Sequence, residues 1–114
     1  MRAAELQLGT ELYSVAADPR DDAASVRLLL AQGAEPNWRM PGVGSTPLIA
    51  AAGAGCHRVV AALLEAASDV NLSNRSGATA VYAACERGHR LCLKTLLTAS
   101  PDVEFATHDG ATPL

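Results

Sequence analysis

Cysteine and histidine side chains are the first candidates for chemistry in this chain. Cys85, His89 and Cys92 follow a C-x3-H-x2-C spacing that offers three zinc ligands. A structural zinc site needs a fourth ligand and a tetrahedral arrangement, which this spacing alone does not supply. We therefore interpret Cys85 and Cys92 as small apolar packing residues, and we predict no metal and no other cofactor.

The candidates for a catalytic role are weaker than those for a metal site. Cys56 and His57 are adjacent, and adjacent residues on a helix point apart. The sequence contains no G-x-S-x-G, no phosphate-binding glycine loop and no H-E-x-x-H. Asp18, Asp21 and Asp22 cluster in a predicted loop, where solvation disfavours the raised pKa that acid catalysis needs. We predict that the protein is not an enzyme.

The composition narrows the class of protein and of partner. The chain has 114 residues, enough for one domain, and it is 49% hydrophobic but only 4% aromatic. Alanine and leucine therefore supply most of the burial, which favours closely packed helices. A net charge of −3 argues against nucleic acid or an anionic membrane as the main partner.

The lack of recognisable targeting signals and the cysteine usage favour an intracellular protein. No apolar run approaches the roughly 18 residues of a membrane span, and the N-terminus lacks the apolar core of a secretory signal. Three cysteines without framework spacing indicate reduced thiols. We predict a cytoplasmic location, with the nucleus as an alternative.

An internal repeat must position all of these side chains. The triplet Gly-Ala-Thr at 77–79 recurs at 110–112, and the Leu-Leu pair at 63–64 recurs at 96–97, both after 33 residues. An earlier Leu-Leu pair at 29–30 lies 34 residues before the pair at 63–64. A period of this length, held through three windows, is typical of a repeat solenoid.

The repeated windows resemble the ankyrin-repeat family. Residues 44–52, G-S-T-P-L-I-A-A-A, resemble the ankyrin signature G-x-T-P-L-H-x-A-A. Residues 59–64 and then 68–71 resemble the ankyrin ending V-V-x-x-L-L followed by A-D-V-N. The resemblance covers roughly residues 10–114. It implies an all-α repeat solenoid in which each repeat is a helix-turn-helix plus a β-hairpin finger.

The residue types within one window agree with that fold. Thr46 and Pro47 are suited to open a helix, because a threonine side chain caps free N–H groups and proline fits the first turn. Gly55 and Gly88 fall between paired helices, where a tight turn favours a residue that tolerates positive φ. Val59, Val60, Leu63 and Leu64 form one apolar stripe.

We divide the chain into an N-terminal tail, three repeats and the start of a fourth. The tail, residues 1–9, is either disordered or an extra helical turn, and the repeats cover 10–40, 41–73 and 74–106. Residues 107–114 begin a truncated repeat. We expect a fragment of a longer array that is marginally stable alone and self-associates through residues 80–114, since such stacks need about three repeats. A monomeric, cooperative melt above about 60 °C would count against that expectation.

Some positions depart from the ankyrin pattern. Ala67 and Ser100 stand where a glycine usually ends the second helix. If the backbone there is left-handed, each costs on the order of 1 kcal/mol. The usual finger asparagine is present as Asn37 and Asn71, but Glu104 replaces it in the third repeat.

The resemblance also implies a binding surface, because proteins of this fold bind protein partners on the concave face. Mapped onto this sequence, the partner-binding positions are Trp38, Arg39, Val43, Ser45, Arg75, Ser76, Ala78, Glu86, Arg87, His108 and Asp109. Gly53 and Ala54 add the exposed end of a first helix. Trp38 and Tyr82 are candidate anchors. The alternatives are hairpin packing for Trp38 and a half-buried scaffold role for Tyr82.

Three more specific roles stay open. Asn71 resembles an ankyrin asparagine that an asparaginyl hydroxylase modifies, or else it ties the finger together. Residues 81–85, 93–96 and 108–114 look like those of the ankyrin-and-SOCS-box family, which implies the substrate-recruiting part of a ubiquitin-ligase receptor, although no SOCS box lies in these residues. A third alternative is a structural or regulatory module packed in cis on a catalytic domain.

Overall fold

Helices and the connections between them make up the part of the chain that the computed structural model describes, residues 3–99, with side chains for residues 7–98. These helices are α1 (Ala3–Ala17), α2 (Ala23–Ala31), α3 (Pro47–Ala54), α4 (His57–Glu65), α5 (Ala80–Arg87) and α6 (Arg90–Ala99). No strand occurs within residues 3–99. The all-α prediction is therefore confirmed for this part of the chain.

The helices form three pairs stacked in two layers. Helices α1, α3 and α5 pack side by side as an inner layer, and α2, α4 and α6 pack side by side as an outer layer. A continuous apolar core fills the space between the layers. Alanine, valine and leucine supply most of this core, as the composition predicted, and Leu12, Leu48 and Leu63 are among its fully buried side chains.

Threonine side chains fix where two inner helices begin. The Oγ1 atom of Thr46 accepts a hydrogen bond of 3.2 Å from the Ile49 N–H, and Pro47 occupies the first turn. In the next pair, Thr79 Oγ1 accepts a bond of the same length from Tyr82 N–H. Each bond satisfies an N–H group that has no partner within its helix. The helix start predicted at Thr46 and Pro47 is confirmed.

Left-handed glycines end the same two helices. Gly55 has φ of +81° and Gly88 has φ of +73°, as predicted from their place between paired helices. Gly55 is constrained further, because a Cβ atom there would lie 2.9 Å from the His89 ring. That ring crosses to the preceding helix pair, where its Nε2 atom lies 3.1 Å from the Gly53 carbonyl oxygen.

An alanine occupies a left-handed position after α4. Ala67 has φ of +66°, whereas Gly33, at the matching place after α2, has φ of +101°. The predicted departure from glycine therefore carries the expected backbone strain at Ala67. The corresponding Ser100 lies outside the described residues.

Replacing Ala67 by glycine is expected to raise the free energy of unfolding by about 0.5–1 kcal/mol. The left-handed strain of about 1–2 kcal/mol is relieved, and the larger backbone entropy of glycine in the unfolded chain offsets part of that gain. Urea denaturation followed by circular dichroism measures the change. Ala66, with φ of −86°, provides the control: Ala66→Gly should be destabilising, and equal effects at both positions would contradict the strain argument.

The connections before α3 and α5 are hydrogen-bonded turns, which we call fingers 40–45 and 74–78. Met40 N–H donates to the Ser45 carbonyl oxygen at 2.8 Å, and Asn74 N–H donates to Ala78 at 3.0 Å. The fingers also bond to each other, because Arg75 N–H donates to the Val43 carbonyl oxygen at 3.0 Å. In this part of the chain, the predicted hairpins take the form of such turns.

The first helix pair is longer and less regular than the others. Helix α1 begins at Ala3, so helix extends into the 1–9 segment that the sequence left open. The loop that follows it holds Asp21 with φ of +56°, in the place that left-handed glycines occupy in the next two pairs. Among residues 3–99, no helix has both the length and the apolar character that crossing a bilayer requires.

Candidate functional site

A groove of about 360 Å³ runs along the inner layer. All three inner helices and finger 74–78 contribute to it. The lining residues are Tyr13, Ala17, Ile49, Ala50, Gly53, Ala54, Asn74, Ala78, Ala83, Glu86 and Arg87. The groove therefore exists only when the three helix pairs are stacked.

Small side chains make the floor of this groove. Ala17, Ala50, Gly53 and Ala83 come from three different helices, and none is larger than alanine. A Cβ atom at Gly53 would lie 3.9 Å from that of Ala83, so the neighbouring helices are in close contact there. Small residues allow this close approach, and they also leave space above the helices for a partner's side chains.

Polar side chains border the groove at both ends. Glu86 and Arg87 are exposed near the end of α5. At the finger end, Asn74 Oδ1 accepts hydrogen bonds from the N–H groups of Ser76 and Ala78 at 2.9 and 3.0 Å, which fixes the turn. The structure thus brings Ala78, Glu86 and Arg87, predicted from the sequence as binding positions, to one groove.

Other predicted positions lie on the fingers or, for Arg39, directly before the first finger. Arg39, Val43, Arg75 and Ser76 are exposed, and Val43 is 54% exposed despite its apolar side chain. Arg39 Nη1 donates a hydrogen bond of 3.2 Å to the Ser73 carbonyl oxygen, which links the first finger to the chain beside the second. These side chains are accessible to a partner that spans both fingers.

Two predicted binding residues are instead buried. Trp38 is only 5% exposed, and its ring packs edge-on against Tyr13 with centroids 6.2 Å apart. Ser45 is 4% exposed at the start of α3. Trp38 therefore packs against helix α1 of its own helix pair and not against a neighbouring repeat, and neither side chain is available as a surface anchor. The reason is helix α1, which covers the indole and whose length the sequence left open.

The remaining predicted residues divide between described and undescribed parts of the chain. Tyr82 is half-buried, which agrees with the scaffold alternative. Asn71 is exposed, and its N–H donates to Asp69 Oδ1 at 2.9 Å. His108 and Asp109 lie outside the described residues.

Six lining residues of the groove were not predicted from the sequence: Tyr13, Ala17, Ile49, Ala50, Asn74 and Ala83. Tyr13 belongs to the first helix pair, which lacks the Thr-Pro start, so no register assigns it to a face. Ile49 is 6% exposed, and its place in the first turn of α3 follows from the helix start at Thr46 and Pro47. The only signal for Tyr13 was its aromatic side chain in a predicted helix.

The thiols are placed for packing. None of the three cysteines forms a disulfide, and Cys56 and Cys92 are fully buried. Burial raises the pKa of Cys56 and Cys85, and it raises the pKa of Cys92 to about 11. Raised pKa values oppose formation of the thiolate that nucleophilic catalysis or metal binding needs. Within the described residues, no group of three or more His, Cys, Asp or Glu side chains is arranged to hold a metal ion.

Cys56 makes a contact between helix pairs. Its thiol donates to the Asp18 carbonyl oxygen at 3.1 Å, and it stands where His89 stands in the next pair. The side chains of Cys56 and His89 thus each contact a carbonyl oxygen of the preceding inner helix or of the loop that follows it. In the second helix pair, Cys56 therefore makes the connection that His89 makes in the third.

Two carboxylates of the first loop, those of Asp18 and Asp22, have lowered pKa values that favour their ionised forms. Hydrogen bonds from the Arg20 side chain and backbone lower the pKa of Asp18. Bonds from the Ser25 hydroxyl and N–H lower the pKa of Asp22, which caps α2. A general acid requires the opposite shift.

The fold and the groove define a class of protein, the α-solenoids built of stacked helix pairs with one concave face. The sequence matches the family described as ankyrin repeats (3 copies) over residues 13–114. The chain belongs to the ankyrin-repeat family, so the resemblance of its repeated windows is confirmed. A comparison with curated proteins gives no match. Ankyrin repeats are generally protein–protein interaction modules and are typically non-catalytic.

Proposed function

We propose that this chain binds a protein partner in the groove of its inner layer. The observation that carries the proposal is the groove itself, about 360 Å³ in volume, to which all three inner helices contribute. Its small floor residues admit a partner's side chains, and its exposed ends offer Glu86 and Arg87 for polar contacts. Arg39, Val43, Arg75 and Ser76 extend the contact surface along the fingers, whereas the buried Trp38 and Ser45 do not belong to it.

Three charged side chains beside the groove contribute little to the stability of the fold, which supports a binding role. Arg75, Glu86 and Arg87 form no ion pair among the described residues. Exposed charges of this kind contribute little to stability. They are therefore free to serve recognition.

The test compares two variants that change the same kinds of residue. The groove variant carries Arg75→Ala, Glu86→Ala and Arg87→Ala. The control carries Arg58→Ala, Glu65→Ala and Arg90→Ala on the outer helices, with the same change in charge. Affinity capture from cell lysate identifies partners by mass spectrometry, and calorimetry with a purified partner gives its Kd.

A partner of the groove should be retained by the wild type and the control, and it should bind the groove variant at least about tenfold more weakly, a loss of about 1.4 kcal/mol. Circular dichroism must show that both variants remain folded. Equal binding to all three proteins would contradict the proposal. Recovery of chaperones alone would favour the module packed in cis or the marginally stable fragment.

The finer assignments remain proposals. We propose repeats at 10–40, 41–73 and 74–106, and an intracellular setting supported by three cysteines that form no disulfide. The ubiquitin-ligase role and self-association through residues 80–114 remain predictions. Hydroxylation of Asn71 also remains a prediction, for which intact-mass measurement after expression in animal cells is the test. Absence of a +16 shift at Asn71 would count against it.

A further inference from the structure

Two arginines meet over Gly44: Arg75 of finger 74–78, and Arg39, which directly precedes finger 40–45. A Cβ atom built at Gly44 would lie 3.4 Å from Arg75 Cγ and 3.8 Å from Arg39 Nη1. The backbone bond from Arg75 N–H to the Val43 carbonyl oxygen holds the two fingers in this register. Both arginines are exposed, so two positive charges share one part of the surface. We call Arg39 and Arg75 the finger arginine pair.

Nearby carboxylates do not neutralise this pair within the described residues. Ion pairs there join Arg20 to Asp18, Arg27 to Glu65 and His57 to Asp21. Glu35 and Asp69 are the acids closest in sequence to the pair. Their carboxylates accept hydrogen bonds from the backbone N–H groups of Asn37 and Asn71, at 3.0 and 2.9 Å.

The acidic loop of the first helix pair lies at the other end of the inner helices. Finger 40–45 precedes helix α3, whereas Cys56, which follows that helix, contacts the Asp18 carbonyl oxygen. The whole chain carries a net charge of −3. The positive pair is thus a local exception on an acidic protein, and it lies beside Asn74 at the finger end of the groove.

We propose that the finger arginine pair binds the carboxylates of an acidic segment, rich in aspartate or glutamate, of the protein partner that occupies the groove. Guanidinium groups hold carboxylates through paired N–H···O bonds, which fixes orientation as well as charge. Charge complementarity selects an acidic segment and disfavours a basic one. The partner's acidic segment lies over the fingers, and its adjoining residues enter the groove. This inference rests on the proposed function and adds the chemistry of the partner.

The probe is an unlabelled octaglutamate peptide, titrated into isotope-labelled protein and followed by NMR. We expect shifts at the amides of Gly44 and Arg75, and weaker binding at about 0.5 M salt, because exposed charges are then screened. Octaglutamine and octalysine of equal length should leave these amides unchanged.

The matched variants are Arg39→Gln/Arg75→Gln and, as control, Arg58→Gln/Arg90→Gln on the outer helices, with the same change in net charge. The first should bind octaglutamate at least about fivefold more weakly, and the control should stay within about twofold of the wild type. Arg39 also bonds to Ser73, so Arg75→Gln alone provides a second variant that leaves that bond intact.

Equal loss in both double variants, or no shift at Gly44 with octaglutamate, would overturn the proposal. Binding of a phosphoserine peptide but not of octaglutamate would also overturn it, since the site would then select phosphate. Binding of the groove partner to the variants distinguishes failure of this proposal from failure of the proposed function. A partner that the Glu86→Ala/Arg87→Ala variant loses and the arginine-pair variant keeps would leave groove binding intact and remove the acidic segment.

Discussion

Replacing Trp38 by alanine is expected to lower the free energy of unfolding by about 3–5 kcal/mol. The indole is 5% exposed, it packs edge-on against Tyr13, and it lies directly beneath the backbone of Gly9. Removing it opens a cavity between helix α1 and the residues that follow α2. Because small domains are often stable by only about 5–15 kcal/mol, this loss would leave a substantial unfolded fraction.

Urea denaturation followed by circular dichroism measures this loss, since Trp38 is the only tryptophan and its fluorescence disappears with it. Arg39→Ala, at the next and exposed position, is the control and should change stability by less than about 1 kcal/mol. If Trp38→Ala cost no more than Arg39→Ala, the indole would be a surface residue and its role as a partner anchor would be restored.

Gly9 provides an independent check on the same packing. A Cβ atom there would lie 2.4 Å from the indole, so Gly9→Ala should cost about 1–3 kcal/mol in the wild type. When Trp38→Leu has removed the ring, the same change should instead be favourable by up to about 1 kcal/mol, because alanine is the better helix former. An unchanged sign in the two backgrounds would contradict the contact.

Replacing Asp21 by alanine is expected to cost about 1–2 kcal/mol, the usual penalty for losing a helix cap. Its Oδ1 accepts a hydrogen bond of 2.9 Å from Val59 N–H, and its Oδ2 accepts one of 3.2 Å from Arg58 N–H. These N–H groups belong to the first turn of α4, where Cys56 makes no side-chain cap. Asp21 therefore caps a helix of the next pair and joins the two pairs.

Chemical denaturation of three variants separates the cap from the backbone conformation. Asp21→Asn keeps one acceptor oxygen and should lose less stability than Asp21→Ala. Asp21→Gly lacks the cap but relieves the left-handed strain at φ of +56°, so it should be more stable than Asp21→Ala by about 1 kcal/mol. Asp22→Ala removes the cap of α2 within its own pair. Hydrogen exchange should show lost protection in the first turn of α4 for Asp21→Ala and not for Asp22→Ala.

Features set by neighbouring residues could be predicted from the sequence. Thr46 caps the helix that it was expected to open, Thr79 does the same one period later, and Gly55 and Gly88 have the expected positive φ. Even the strain at Ala67 follows from its place in the period. Each of these features depends on residues only a few positions away along the chain, so one window of the repeat is enough to predict it.

Features that depend on the first helix pair could not be predicted in this way. Burial of Trp38 requires helix α1 to extend past Gly9, in a segment without a repeated motif. Capping by Asp21 requires a left-handed aspartate and a helix 38 residues further along the chain. Tyr13 joins the groove for the same reason, since its face is set by how α1 packs on α3.

The bonds that join successive helix pairs avoid the side chains of the open groove. Asp21, Asn37 and Cys56 each reach the neighbouring pair through atoms at loops and helix ends. The exposed groove side chains of Glu86 and Arg87 take part in none of these bonds within the described residues. A library randomised at such groove positions should therefore yield many different binding specificities while most of its members keep a cooperative melt, and natural selection would have the same freedom to change partners without rebuilding the protein.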